Sequence, residues 1–292
     1  MQRSVIQLAG RTLVVSLPSR WCKANTVKKG DTLEVTEAPG FLRIENSTRT
    51  TNDLHVTLDI SNQPSNAVWH ALNAAYRSGA SVIEARFDNP TIHDHRLRKE
   101  TTMLALAHRI AQRWNGMEIA THGKKHFVIH EVGSPAWADF EGAYARLLQL
   151  VSGLYDEATT VQPDLLQDTV QLFEDQINRV ADLCERIIAR SNTLTNAEAA
   201  SYMNIVKALE QVGDEAKDMA SQTSGARQLR AAHPAVKEGL SALRSGTPHA
   251  AMAFHKEKPT FAQDKDARRV LSALSDALNA RQTLFHLTQR TQ

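Results

Sequence analysis

Carboxylates recur at one-turn spacing in two places along this chain. Glu210, Asp214 and Asp218 stand at i, i+4 and i+8, so on a helix they form one strip lying well around from the core position Leu209. Glu174, Asn178 and Asp182 repeat that spacing 36 residues earlier, with an amide in place of the middle acid. Carboxylates one turn apart can bracket a hard or borderline cation. Glu210, Asp214 and Asp218, with Glu174 and Asp182 as weaker helpers, are therefore candidate ligands for a divalent or ferric ion. The commoner reading of such a strip is a solvated polar face. Imidazoles form a second group. His126 and His130 share a strand face by parity, His122 can lie opposite His126 across a turn, and three imidazoles can hold a metal or make a pH-sensitive patch. With twelve histidines in the chain, coincidence on the surface is the plainer explanation.

Cations give the third group. Arg3, Arg11, Arg20, Lys23, Lys28 and Lys29 fall within 27 residues, the kind of density that suits a phosphate backbone. The net charge of +2 over 292 residues names no partner, but its distribution is uneven. Residues 1–52 carry eight Lys and Arg against four Asp and Glu, whereas residues 136–292 carry seventeen against twenty. No GxGxxG, GxxxxGK[ST], HExxH, GxSxG or CxxC motif occurs, so the common phosphate-cradle, zincin, hydrolase and redox sites are unsupported and an enzyme is not expected. Cys22 and Cys184, 162 residues apart in apolar stretches, read as two reduced, buried thiols. The opening MQRSVIQLAGR and the lack of any eighteen-residue apolar run predict a cytoplasmic protein with no membrane insertion.

Three kinds of element must carry these groups. Residues 1–50 alternate short strands with turns: SVIQL, TLVVSL, DTLEV and FLRI, with a short helix after Pro18. So small a β unit buries little by itself, which predicts dimerisation. The polar stretch 46–53 reads as a linker. Over residues 54–133 the pattern predicts an α/β sandwich of βαβαββ order. Its first helix carries Val68, Leu72 and Tyr76 inward and ends at Gly79; the second is capped by Asp94 and runs through Leu97, Leu104, Ile110 and Trp114. From residue 136 to 292 the apolar period becomes helical. Trp137 to Leu154, Leu166 to Ile187, Tyr202 to Met219 and Ala267 to Phe285 predict long helices, Leu229 to Leu243 a weaker one interrupted by Pro234, and 246–259 a polar connection, giving an antiparallel bundle of five helices. Trp21, Trp69, Trp114 and Trp137 are all expected as packing residues.

VVSLPSRW followed by VKKGDTLEV resembles the swapped-hairpin AbrB/SpoVT type of DNA-binding domain, in the form joined to a PhoU-like helical region. The resemblance covers residues 3–45. It departs at Ala9-Gly10-Arg11-Thr12, where relatives tend to carry a Gly-Gly-Ser/Thr loop, so the geometry around Arg11 does not follow from it. In outline the whole chain resembles an archaeal-type phosphate uptake regulator. The resemblance implies a homodimer whose two chains interlace their hairpins into one small β-barrel, with Arg3, Arg11, Arg20 and Lys23 facing DNA. It also implies acidic rows on the bundle that can bind metal. The expectation is a DNA-binding transcriptional regulator of phosphate uptake or homeostasis. The alternative is an adaptor that docks its bundle on a phosphate-transport component or another regulator and uses the barrel only to dimerise.

Overall fold

The computed structural model describes residues 2–8, 10–38, 41–46, 54–133, 135–261 and 265–289. The expected linker beyond Asn46, together with Ala9, Pro39, Gly40, Ser134 and the side chain of Trp137, lies outside the described residues. The chain is mixed α and β and divides into two compact units, Met1–Asn52 and Asp53–Gln292.

In the first unit β1 (Val5–Leu8) and β2 (Thr12–Val15) form an antiparallel hairpin with Val5 opposite Val15 and Leu8 opposite Thr12. Gly10 makes the turn at φ +83°, a conformation that side chains with a Cβ resist. Helix α1 (Ser19–Ala24) starts behind Pro18, and β3 (Leu33–Ala38) pairs with β4 (Phe41–Asn46) in a second antiparallel hairpin. Each hairpin is its own two-stranded sheet. Strand alternation sets Val5, Leu13 and Val15 on one face of the first hairpin and Ile6 and Leu8 on the other.

The second unit opens with an α/β layer: β5 (His55–Asp59), α2 (Ser65–Arg77), β6 (Val82–Arg86), β7 (Thr91–Asp94), β8 (Lys99–Thr102), α3 (Met103–Ala111), β9 (Met117–His122) and β10 (His126–Glu131). Its sheet runs β5-β6-β10-β9, with β5 and β6 parallel across the α2 crossover and the other pairs antiparallel. Ile83, Ala85, Phe127 and Ile129 on one sheet face pack with Leu72 and Tyr76 of α2 and Leu106 and Ile110 of α3. Gly79, one residue past the C-cap of α2, takes φ +89°, and a Cβ there would lie 2.6 Å from Arg190 Cγ. The expected second helix is shorter than its apolar spacing suggested. Residues 91–102 form the β7–β8 hairpin, and Thr102, not Asp94, caps α3 by accepting from Ala105 N. Asp94 Oδ1 instead accepts from Arg96 N and Leu97 N at 2.9 and 3.1 Å, which makes a turn of the residues expected to start a helix.

The bundle follows as α4 (Phe140–Thr160), α5 (Leu166–Arg190), α6 (Asn196–Ala220), α7 (Gly225–Ser245), α8 (Pro248–Phe261) and α9 (Lys265–Gln289). Helix α5 packs on α4 and α6, while α9 packs on α6 and α7. A capping box starts α6: Thr195 Oγ1 accepts from Glu198 N at 3.2 Å and Glu198 Oε2 accepts from Thr195 N at 2.8 Å. Two corrections concern its later half. Pro234 lies inside a continuous α7, where the buried Leu229, Ala232, Ala235, Val236 and Leu240 outweigh the lost amide. The stretch expected as a polar connection contains α8, opened by Pro248 at the first helical position and by Thr247, whose Oγ1 accepts from Ala250 N at 3.3 Å. No helix among the described residues is long and apolar enough to cross a membrane.

Candidate functional site

The cations expected to face DNA are all exposed. Arg11 follows Gly10 in the β1–β2 turn, where Gln7 Nε2 donates to Gly10 O at 2.7 Å and holds the loop closed. Arg20 and Lys23, three residues apart, share one side of α1. Lys28 and Lys29 sit in the turn before β3, which is fixed by Lys28 N donating to Asp31 Oδ2 at 2.7 Å and by Gly30 at φ +95°. Among the described residues, none of Arg3, Arg11, Arg20 and Lys23 is paired with a carboxylate. Beside them the apolar side chains of both hairpins are uncovered: Val5, Ile6, Leu8, Val35 and Leu42 stand exposed, and Leu13 is 70% exposed. Trp21 and Cys22 of α1 are half-buried, so Cys22 is not the enclosed thiol expected from its surroundings. Cys184 is fully buried, and that burial pushes its thiol up to about 12.

The two acidic rows face each other along the seam between α5 and α6, where they are partly enclosed. Glu174 is buried and its oxygens are already engaged: Gln171 Nε2 donates to Oε2 at 2.7 Å, while Asn178 Nδ2 and Lys217 Nζ reach Oε1 at 2.8 and 2.9 Å. From α2, Arg77 reaches Asp182 Oδ1 at 3.6 Å and Glu185 Oε2 at 3.8 Å. Burial pushes the Asp182 carboxyl up to about 6 against the pull of Arg77. It pushes Glu210 up to about 7, with Asp182, Glu185 and Asp214 adding like-charge repulsion. Asp214 rises by burial and by the nearby Glu174, opposed by Lys217. Asp218 lies at the exposed end of its row. The described residues bring no group of three His, Cys, Asp or Glu side chains into a metal-holding arrangement, and the donors on Glu174 occupy the positions a cation would need. Arg77, Glu185 and Lys217 were not visible in the spacing: Arg77 comes from an element more than a hundred residues away, and Lys217 hides between acids of the same row.

The hairpin histidines do not converge. His122 pairs across the ladder with Phe127, not with His126, which puts it on the opposite side of the ribbon from His126 and His130. Trp114 is a core residue stacked on Tyr76 at 4.9 Å between ring centres. Trp69 is only half-buried, and the guanidinium groups of Arg96 and Arg113 lie 5.0 and 5.5 Å from its ring centre. On the bundle, α6 and α9 leave between them an open groove of about 570 Å3 lined by Asn204, Lys207, Gln211, Asp276, Asn279 and Thr283. No family model, curated protein or solved structure matches this chain.

Proposed function

We propose that the chain is a homodimeric DNA-binding transcriptional regulator whose first unit binds DNA and whose helical bundle reports phosphate status. One observation carries the reading. The first hairpin exposes apolar side chains on both of its faces, Leu13 and Val15 on one and Ile6 and Leu8 on the other. A two-stranded ribbon apolar on both faces is unstable in water unless it is covered on both sides. A second copy that interlaces its own hairpins supplies both covers at once. Such a dimer doubles the set formed by Arg3, Arg11, Arg20 and Lys23 and leaves those cations outside the new core, because they occupy the turn, the helix and the stretch before β1 and not the apolar positions. The likeness of VVSLPSRW and VKKGDTLEV to AbrB/SpoVT-type domains supports the same assembly. In this reading the protein is not an enzyme.

The groove between α6 and α9 supports a second reading, an adaptor that docks a phosphate-transport component on the bundle. Crosslinking the full chain to the genome, with and without phosphate limitation, separates the two. Discrete bound sites that change on limitation support the regulator; uniform background under both conditions overturns it.

A further inference from the structure

A cavity of about 160 Å3 opens between α2 and the turn after β7. Its apolar lining is Trp69, with the Arg96 guanidinium 5.0 Å from the ring centre, and the buried Leu106. The turn is tied to α2 because His95 N donates to Ser65 Oγ at 3.1 Å, so the cavity's two sides are held at a fixed spacing. Asp94 also lines it, but its charge is spent: the Arg109 guanidinium pairs with Oδ2, and Arg96 N and Leu97 N donate to Oδ1. Four exposed side chains with positive or donor character also line it, Asn66, His70, His95 and Arg96. Arg96 touches Asp175 only at 3.9 Å, while that carboxylate takes its closer pair, at 2.9 Å, from Arg113. Arg96 is therefore the standing cation of the lining, and Trp69 and Leu106 its apolar part.

Size narrows the occupant. An apolar cavity of about 150 Å3 accepts one benzene-sized ring, and ligand pockets combine apolar walls with a few polar groups that fix orientation. We propose that this cavity binds a single aromatic or heteroaromatic ring carrying a carboxylate. The ring lies against Leu106 and the part of Trp69 that the Arg96 and Arg113 guanidinium groups leave open, and the carboxylate meets the Arg96 guanidinium, whose planar fork matches it, with the ring nitrogens of His70 and His95 beside it.

Calorimetric titration of the full chain tests this with three probes: sodium benzoate, the neutral benzyl alcohol, and sodium acetate. Benzoate is expected to bind, and the other two at least about tenfold more weakly, since each lacks one half of the recognition. Arg96→Gln, a change at an exposed position, is expected to weaken benzoate about tenfold with the far-UV spectrum unchanged. His95→Ala keeps the backbone bond to Ser65 and weakens it less. No benzoate binding up to about 10 mM, or binding that Arg96→Gln leaves unchanged, overturns the site. Benzyl alcohol binding as well as benzoate overturns the carboxylate assignment, and acetate binding as well as benzoate overturns the ring.

Discussion

Arg186 on α5 and Glu131 at the end of β10 meet at 2.6 Å, and the guanidinium is completely buried. This pair pins the bundle to the α/β layer. Arg186 also donates through Nη1 to Tyr76 O at 2.8 Å and lies 4.9 Å from the Tyr76 ring centre, while Arg190 reaches the other Glu131 oxygen at 3.2 Å. Two layers that share such a buried ion pair are expected to unfold together. Removing one partner leaves an uncompensated buried charge, so Glu131→Ala should cost about 3–5 kcal/mol. Denaturant unfolding of the full chain checks it; a loss under about 1 kcal/mol would show the pair to be solvated.

The α5–α6 seam predicts a pH dependence. Glu210 is held near 7 in the fold against an ordinary value of 4.5, and Asp182 near 6 against 3.8. Raised carboxyl values mean that the folded state keeps protons the unfolded state releases, so stability should fall as pH rises from about 4 to about 7 and then level off. Glu210→Gln removes about half of the slope, the rest belonging to Asp182, and is expected to be the more stable protein at pH 8, by on the order of 1 kcal/mol. Stability that rises across the same window would contradict these assignments.

Lys217 bears on the metal question. As the seam stands, its ammonium neutralises Glu174 at 2.9 Å. Lys217→Ala leaves Glu174, still held by Gln171 and Asn178, without a neighbouring cation beside Asp214, so manganese should raise the melting temperature of the variant by more than that of the wild type. Equal shifts in the two proteins would place any bound cation away from Glu174 and Asp214.

The proposed dimer rests on uncovered apolar side chains. Leu13→Asp puts a charge where a partner's core is expected, and sedimentation should then show the full chain moving from dimer to monomer. A wild type that is monomeric at tens of micromolar, or a variant that remains a tight dimer, would remove the interlaced arrangement.

Periodicity made the bundle legible because Leu166, Val170, Ile177, Cys184 and Ile187 all turn inward on one helix. It misled at residues 91–102, where Leu97 and Leu104 fit a helical spacing that Arg98, at φ +51°, and the Asp94 turn interrupt. Helix α8 carries little apolar period because its inward residues among those described are few, Ala251 and Phe254. The acids of the seam were readable as a row, but their partners were not. Arg77 and Arg186 act across separations that no local pattern encodes, and a buried arginine looks in sequence like any solvated one. The cations of the first unit were readable by type alone, and Arg3, Arg11, Arg20 and Lys23 are exposed.

In the proposed dimer Arg3, Arg11, Arg20 and Lys23 meet a DNA backbone. The most direct test of that contact is the salt dependence of binding between the full chain and a DNA fragment recovered by the crosslinking experiment. If about four to six phosphates are neutralised, log affinity falls against log salt with a slope of roughly −4 to −5. Arg11→Ala then weakens binding and flattens the slope by about one unit for each phosphate that is no longer neutralised. A slope near zero, or a variant indistinguishable from wild type in both slope and affinity, would contradict the account.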